Sequence, residues 1–180
     1  PEAEVLAYLA RRRGKLDGVC VTGGEPTLQP ELPEFLEKIR DLGYAIKLDT
    51  NGTNPGMLKI LLHDGFLDYV AMDIKNSPRR YAETCGGADI LSGVQESVLL
   101  LQDSLADYEF RTTVCKPLHT EREMEEIGRW LKGAKRYFLQ PFVDSGSLVS
   151  GGVQAHTRDE LARLRQAVLP YIPNTQLRGI

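Results

Sequence analysis

Residues 18–26 read GVCVTGGEP, a short run of small and β-branched residues that ends in two glycines, an acid and a proline. β-Branched residues favour strands, and consecutive glycines let the chain turn sharply after a strand. Residues 31–42 then place apolar side chains at helical spacing between charged ones, which predicts an amphipathic helix. Gly43 ends this helix, and residues 44–49 again have strand character. The stretch therefore predicts a strand–helix–strand unit with parallel strands.

The same alternation continues along the whole chain. Strands are predicted at 18–22, 44–49, 69–74, 108–114, 136–141 and 176–179. Helices are predicted at 2–13, 31–42, 55–63, 90–104, 121–131 and 158–168, the last two opening with a capping box. Strict alternation gives an α/β fold of parallel strands, and polar residues at the carboxyl ends of the strands favour a partial (β/α) TIM-like barrel. With 180 residues, we expect a single domain spanning residues 1–180.

The composition argues against several classes of function. The 22 basic and 25 acidic side chains give a net charge of −3 without a long basic block, so nucleic-acid binding is not expected. No apolar stretch approaches the roughly 20 residues that cross a bilayer, and the first residues do not resemble a signal peptide. These features indicate a cytoplasmic protein without a membrane partner.

Polar residues follow almost every predicted strand. The strand ends read Thr22-Gly23-Gly24-Glu25, Asp49-Thr50-Asn51-Gly52, Asp73-Ile74-Lys75, Arg111-Thr112-Thr113 and Gln140-Pro141. Because the carboxyl ends of parallel strands lie at one rim of a barrel, these side chains are expected to converge on one cavity. Arg111 and Thr113 lie on the same face of their predicted strand, so both could contact a ligand. Alternatively, Arg111 only holds a nearby carboxylate in place.

Glu25 and the two glycines before it admit two interpretations. Glycines let backbone groups approach a ligand, and the carboxylate could then receive an ammonium group in a partly desolvated pocket. Alternatively, Gly23 and Gly24 make only a tight turn, and Glu25 is a charge at a helix N-terminus. The residues alone leave both interpretations open.

Asp49 and Asp73 end neighbouring predicted strands, so their carboxylates would repel each other unless a cation lies between them. Lys75 or a bound metal ion could supply that charge. Lys75 could also bind a ligand carboxylate or form a Schiff base with a carbonyl substrate. Asn51 with Gly52 is as typical of a turn as of a ligand contact.

The histidines and cysteines give no metal-binding pattern. No second histidine or cysteine follows any of the three histidines at i+3 or i+4, and all three are predicted to be surface or capping residues: His63, His119 and His156. The three cysteines are widely spaced, which argues against a disulfide framework. Cys20 and Cys115 are predicted to be small buried side chains, whereas Cys85 lies in a glycine-containing loop.

Three motifs together resemble the radical S-adenosylmethionine (radical SAM) enzymes that activate glycyl-radical enzymes. They are VCVTGGEPTL at 19–28, LDTNG at 48–52 and MDIK at 72–75. The similarity is strongest to anaerobic ribonucleoside-triphosphate reductase activating proteins, followed by pyruvate formate-lyase activating enzymes, and it covers almost the whole chain. Val143 stands where the formate-lyase activases carry a histidine, which favours the ribonucleotide reductase branch.

The resemblance implies a function. A [4Fe-4S] cluster would reduce S-adenosylmethionine by one electron, and the resulting 5′-deoxyadenosyl radical would take a hydrogen atom from a glycine of the partner enzyme. The electron donor would be a flavodoxin or ferredoxin.

The resemblance also implies site residues. The turn at Glu25 would hold the methionyl ammonium, Lys75 would help to hold its carboxylate, and Asp49 with Asp73 could hold a monovalent cation. The implied cofactor-binding residues are Gly23, Gly24, Glu25, Asp49, Thr50, Asn51, Asp73, Lys75, Arg111, Thr113 and Gln140.

The family's CxxxCxxC loop is absent from the 180 residues. Its ligands are expected upstream of Pro1, together with the first strand of the barrel. Cys20, Cys85 and Cys115 lack the spacing of a cluster site, so we expect neither a bound cluster nor catalysis from these residues alone. Two other classes stay open: a Schiff-base aldolase-like barrel that uses Lys75, and a non-catalytic binding domain.

Overall fold

The computed structural model describes residues 1–144, 146 and 152–180. Its strands are β1 Gly18–Val21, β2 Ala45–Thr50, β3 Tyr69–Asp73, β4 Asp107–Val114, β5 Tyr137–Pro141 and β6 Thr175–Leu177. They follow one another in one sheet, and the registered pairs β1–β2, β2–β3, β4–β5 and β5–β6 are parallel. The predicted α/β fold is confirmed, and the ends of the predicted strands differ from the observed ones by one or two residues.

Helices connect the strands, and all six predicted helices are present. The described helices are α1 Glu2–Arg11, α2 Leu32–Asp41, α3 Pro55–His63, α4 Tyr81–Thr84, α5 Leu91–Asp103, α6 Glu121–Trp130 and α7 Arg158–Val168, with 3-10 turns at Pro26–Leu28 and Pro78–Arg80. Both predicted capping boxes are present. The sequence missed α4 and the two 3-10 turns because three or four residues are too few to show a hydrophobic period. Among the described helices, none has the length and hydropathy needed to cross a membrane.

The chain divides into two compact units. The first unit comprises Pro1–Met72 and Gly93–Tyr108, and the second comprises Asp73–Ser92 and Glu109–Ile180. The single domain over residues 1–180 stays a prediction.

The first unit has an apolar core between its helices and its strands. Leu36 of α2, Leu48 of β2 and Leu61 of α3 have no exposed surface, and each such side chain contributes roughly 1.5–3 kcal/mol by burial. Tyr44, which directly precedes β2, donates a hydrogen bond of 2.7 Å from its hydroxyl to the carbonyl of Leu9. This bond joins the end of α1 to the strand that follows α2.

Close helix packing and an ion pair with a buried carboxylate stabilise the second unit. A side-chain Cβ on Gly128 of α6 would lie 2.8 Å from the ring of Tyr171, so glycine permits the close approach of α6 to the segment after α7. The buried Glu109 of β4 accepts two hydrogen bonds from Arg178, of 2.6 and 2.8 Å. The Arg178 guanidinium also stacks 3.6 Å above the ring of Phe138. Arg178 therefore connects the end of β6 to β4 across β5.

Candidate functional site

Glu25 follows two glycines at the carboxyl end of β1. Gly23 and Gly24 have φ angles of 93° and 52°, a region that other L-residues rarely adopt, so the turn requires glycine at both positions. Glu25 is the N-cap of the 3-10 turn Pro26–Leu28, and its Oε1 accepts a hydrogen bond of 3.2 Å from the Thr27 N–H. The turn interpretation made from the sequence is therefore part of what Glu25 does.

The same carboxylate also joins the β1 turn to the end of β2. Oε1 accepts hydrogen bonds from the hydroxyls of Thr27, at 2.6 Å, and Thr50, at 2.7 Å. Oε2 accepts a bond of 2.6 Å from the backbone N–H of Asn51. A carboxylate offers about four acceptor positions, and within the described ranges one donor reaches Oε2. Glu25 is thus held rigidly while Oε2 keeps capacity for a further donor, such as an ammonium group.

Thr50 and Asn51 support this carboxylate in different ways. The buried Thr50 hydroxyl donates to Glu25 and accepts a bond of 3.0 Å from the Gly52 N–H. Asn51 contacts Glu25 through its backbone, while its side-chain Oδ1 accepts bonds of 2.9 and 2.7 Å from the N–H and hydroxyl of Thr53. The Asn51 side chain therefore makes the turn that the sequence also indicated.

Asp49 forms an ion pair with a lysine of the first unit. Lys47 Nζ lies 2.7 Å from Asp49 Oδ1, and the Thr22 hydroxyl lies 3.4 Å from Oδ2. Lys47 was not among the residues predicted for the site, although residues two apart on a strand share a face. Lys47 Nζ also lies 3.9 Å from Cys20 Sγ. The prediction that Cys20 is buried is wrong because the residue falls on the exposed side of β1.

In the second unit, Asp73 lies between two cations. Its Oδ1 accepts a bond of 2.5 Å from Arg111 Nε, and its Oδ2 lies 2.8 Å from Lys75 Nζ. Of the roles considered for Lys75, the geometry shows neutralisation of Asp73. Arg111 likewise holds the carboxylate, as one of its two interpretations proposed.

Thr113 and Gln140 lie side by side. They are registered partners on the parallel strands β4 and β5. Along β4, Arg111 and Thr113 are partly or fully exposed, whereas Thr112 between them is buried. The predicted common facing of Arg111 and Thr113 agrees with this alternation.

His119 is buried and the side chain of His156 is largely covered, so the prediction that they are surface or capping residues is wrong for both. His119 Nδ1 accepts a bond of 3.1 Å from the Cys115 N–H, and its Nε2 donates to the carbonyl of Lys75 at 2.9 Å. The side chain of His156 is 7% exposed. The sequence around these single histidines gave no signal of burial, because the segments that cover them are brought together only by folding. Cys115 is buried, as predicted.

Across the described residues, no group of three or more His, Cys, Asp or Glu side chains is arranged to hold a metal ion. Asp49 belongs to the first unit and Asp73 to the second, and each has a basic partner in its own unit. The monovalent cation assigned to these two residues stays a prediction. Cys115 is buried, and Cys20, Cys85 and Cys115 lack the spacing of a cluster site, so they do not fit an iron–sulfur cluster.

The chain combines a parallel α/β topology with a Gly-Gly-Glu-Pro turn after its first strand, and this combination is typical of one superfamily of enzymes. The family model described as "Radical SAM superfamily" matches residues 1–131. The chain therefore belongs to the radical SAM superfamily, as its motifs indicated.

Two curated relatives are similar to this chain over most of its length. A putative glycyl-radical enzyme activating enzyme of Methanocaldococcus jannaschii is 29% identical over 171 residues, which cover 91% of this chain and 71% of the relative. A 7-carboxy-7-deazaguanine synthase of Thermococcus kodakarensis is 30% identical over 145 residues, which cover 78% of this chain and 54% of the relative. The chain thus spans about half to three quarters of these relatives.

A solved structure shares the fold. The crystal structure of a domain of pyruvate-formate lyase-activating enzyme from Bacteroides vulgatus superposes with a TM-score of 0.74 at 17% identity. The superposition covers 91% of this chain and all of that domain. The predicted partial barrel of parallel strands, typical of radical SAM proteins, is confirmed by this likeness.

Proposed function

We propose that the whole protein is a radical SAM activating enzyme, which cleaves S-adenosylmethionine reductively to generate a glycyl radical on a partner enzyme. The observation that carries this proposal is the Glu25 carboxylate, fixed by four donors at the Gly-Gly turn with acceptor capacity left on Oε2. The similarity to a putative glycyl-radical enzyme activating enzyme supports the reaction type. Anaerobic ribonucleotide reductase is the partner we propose first, in the cytoplasm and with flavodoxin or ferredoxin as electron donor.

Within this proposal, the two polar groups at the strand ends have separate tasks toward S-adenosylmethionine. Glu25, positioned by Gly23 and Gly24, accepts a hydrogen bond from the methionyl ammonium. Lys75 pairs with the methionyl carboxylate, an interaction that suits its partly exposed ammonium.

The remaining residues orient these contacts or complete the cofactor site. Asp73 and Arg111 hold Lys75 in place through the ion pairs of the second unit. Further contacts to the cofactor are proposed for Asp49, Thr50, Asn51, Thr113 and Gln140.

The radical chemistry itself would be supplied by S-adenosylmethionine and a [4Fe-4S] cluster when both are bound. Cys20, Cys85 and Cys115 do not fit the cluster, since they lack the spacing of a cluster site and Cys115 is buried. We therefore propose that the cluster ligands belong to a part of the protein outside these 180 residues. The role of the 180 residues is to bind and orient the methionyl group and to exclude water around it.

Binding of S-adenosylmethionine to the 180-residue chain tests the assignment of Glu25. Calorimetric titration should show weak binding that Glu25→Gln weakens by about tenfold or more, because a charge-assisted hydrogen bond is lost. Thr27→Val is the matched control, since it removes a structural partner of Glu25 but keeps the carboxylate. If both variants lose stability equally and bind S-adenosylmethionine equally, Glu25 is structural only and the proposal fails.

The partner is tested with the longer protein that carries the cluster ligands. Incubation with S-adenosylmethionine, a reductant and anaerobic ribonucleotide reductase should produce a glycyl-radical signal in electron paramagnetic resonance. A signal from pyruvate formate-lyase alone would identify that enzyme as the partner instead.

A second candidate function is modification of a small heterocycle. It is favoured by the similarity to a 7-carboxy-7-deazaguanine synthase, at 30% identity over 145 residues. The two functions differ in substrate size, so the same reaction mixture with a small heterocyclic substrate in place of the partner enzyme separates them. Turnover of the small substrate without any glycyl-radical signal would favour the second function.

A further inference from the structure

A cavity of about 340 Å³ lies in the second unit, between the loop that follows β4 and the start of α7. An isolated antiparallel bridge fixes its two sides: the Lys116 N–H donates to the Gln154 carbonyl at 2.8 Å, and the Gln154 N–H donates back at 3.0 Å. His156, two residues further along, lines the cavity. None of these residues belongs to the proposed cofactor site, and the volume is that of a small-molecule pocket.

His156 is the unexplained group of this cavity. Its side chain is 7% exposed, yet neither ring nitrogen has a hydrogen-bond partner in the part of the chain that the structure describes. Burial lowers the pKa of His156, and the nearby backbone groups of Cys115 and His119 oppose this shift without making a hydrogen bond to either ring nitrogen. His119 beside it has both nitrogens bonded. Because buried polar groups are nearly always partnered, the neutral imidazole of His156 presents one donor and one acceptor to whatever occupies the cavity.

The charged side chains of the cavity form two ion pairs at different depths. Lys116 Nζ lies 2.7 Å from Glu160 Oε2, and His156 Nδ1 lies 3.7 Å from the same oxygen. Nearer the rim, Arg163 Nε and Glu121 Oε1 are 3.6 Å apart on side chains that are both more than half exposed. The cavity thus has two positive and two negative side chains. The Arg163–Glu121 pair at its rim is the longer and more exposed of the two ion pairs.

The equal number of positive and negative side chains in the cavity favours one class of ligand over the others. A phosphate would meet the carboxylates of Glu160 and Glu121 at close range. A divalent cation would meet Lys116 and Arg163 as well as the positive end of α7. A molecule with one carboxylate and one ammonium group would match both signs and could also give His156 its donor and its acceptor.

We propose that this cavity binds a small zwitterion of the free amino acid type. Its carboxylate pairs with Lys116 and the His156 N–H, and its ammonium group pairs with Glu160. Pro117 and Leu164, which also line the cavity, contact its apolar side chain. The proposal goes beyond the function proposed above and does not depend on it.

The test is a titration of the 180-residue chain with L-leucine, followed by the ring C–H signals of His156 in nuclear magnetic resonance. Leucinamide, which lacks the carboxylate, and N-acetyl-leucine, which lacks the ammonium group, are the matched probes. L-Leucine should shift the His156 signals in a saturable way, and both matched probes should bind about tenfold more weakly or worse. His63, which is 86% exposed in the first unit, should not respond.

Two variants separate the site from general effects on folding. Lys116→Met should weaken L-leucine binding by about tenfold, while Lys59→Met in α3 should leave it unchanged. His156→Phe should abolish binding, with His63→Phe as its control, and circular dichroism should show that each variant is folded. Should the His156 signals stay unchanged with L-leucine, or respond equally to all three probes, the proposal is overturned.

Discussion

The Thr50 hydroxyl donates a hydrogen bond of 2.7 Å to Oε1 of Glu25, across 25 residues of sequence. Thr50 is the last residue of β2 and is buried, so the bond fixes the turn after β1 against the end of the neighbouring strand. The same hydroxyl accepts from Gly52 N–H, which also fixes the turn after β2. One hydroxyl thereby sets the geometry of two turns that we propose to contact the cofactor.

Thr50→Val should lower the free energy of unfolding by roughly 1–3 kcal/mol, because it removes one donor of Glu25 and leaves the Gly52 N–H without its acceptor. Urea denaturation followed by circular dichroism measures this loss. Thr22→Val serves as the control, since the hydrogen bond that the described residues give its hydroxyl is a long one of 3.4 Å at the surface. Equal losses for the two variants would contradict the structural role of Thr50.

Gly52→Ala should be more destabilising than Gly65→Ala. Both glycines have positive φ, of 73° and 68°, so each alanine bears a similar backbone strain of about 1–2 kcal/mol. A Cβ on Gly52 would in addition lie 2.0 Å from Met72 Cε, whereas a Cβ on Gly65 meets no atom within 4 Å. The difference between the two midpoints of thermal unfolding therefore reports the clash at Met72, and similar midpoints would argue against it.

Arg178→Met should cost roughly 3–5 kcal/mol, because it leaves the buried carboxylate of Glu109 without its bidentate partner. The double variant Glu109→Gln with Arg178→Met should recover part of this loss. A double-mutant cycle in urea measures the coupling, and the exposed pair Arg122 with Glu126 should give at most about 0.5 kcal/mol in the same cycle. Additive effects at Glu109 and Arg178 would show that the pair is not coupled.

Lys75→Met should weaken the binding of S-adenosylmethionine by about tenfold, since the proposed pair with the methionyl carboxylate is lost. Decarboxylated S-adenosylmethionine lacks that group, so its affinity should be the same for the variant and the unaltered chain. Calorimetric titration of both ligands gives the comparison. A variant that loses affinity for both ligands alike would indicate that Lys75 acts through Asp73 and not on the carboxylate.

Acid should destabilise the chain partly through Glu160. The hydrogen bond from Lys116, together with that from the Thr157 N–H, lowers the pKa of Glu160 from its usual 4.5 to about 2. Since the folded pKa lies below the unfolded one, ionised Glu160 stabilises the fold above pH 4.5, and this contribution is lost as the pH falls from 4.5 towards 2.

The measurement is the free energy of unfolding in urea across that pH range. Glu160→Gln should flatten the fall in stability with pH, whatever its effect on stability at neutral pH. Asp159→Asn, an exposed neighbour in the same turn of α7, is the matched control. A fall as steep in Glu160→Gln as in the unaltered chain would refute the role of this carboxylate.

Local patterns predicted most of the elements of this fold. The six strands and the six longer helices were found because a strand repeats every two residues and a helix every 3.6, and these periods are properties of the chain itself. Gly23, Gly24 and Glu25 were identified from sequence for a related reason, since the turn they make needs glycine wherever it occurs.

Some partners of charged groups could not be predicted from the sequence. The pairs Lys47 with Asp49 and Arg178 with Glu109 depend on which face of a strand is exposed and which distant segment lies beside it. Cys20 was predicted to be buried for the same reason, because a four-residue strand does not show which of its faces is covered.

What the sequence by itself determined was the order of strands and helices, the Gly-Gly-Glu turn and the superfamily, since all three are written in short-range patterns. Only the tertiary structure decided that Glu25 is held by Thr50 and Asn51, and that His156 is buried in a cavity without a described hydrogen-bond partner. Hydrogen bonding and burial depend on distances between residues far apart in the chain, and folding sets those distances.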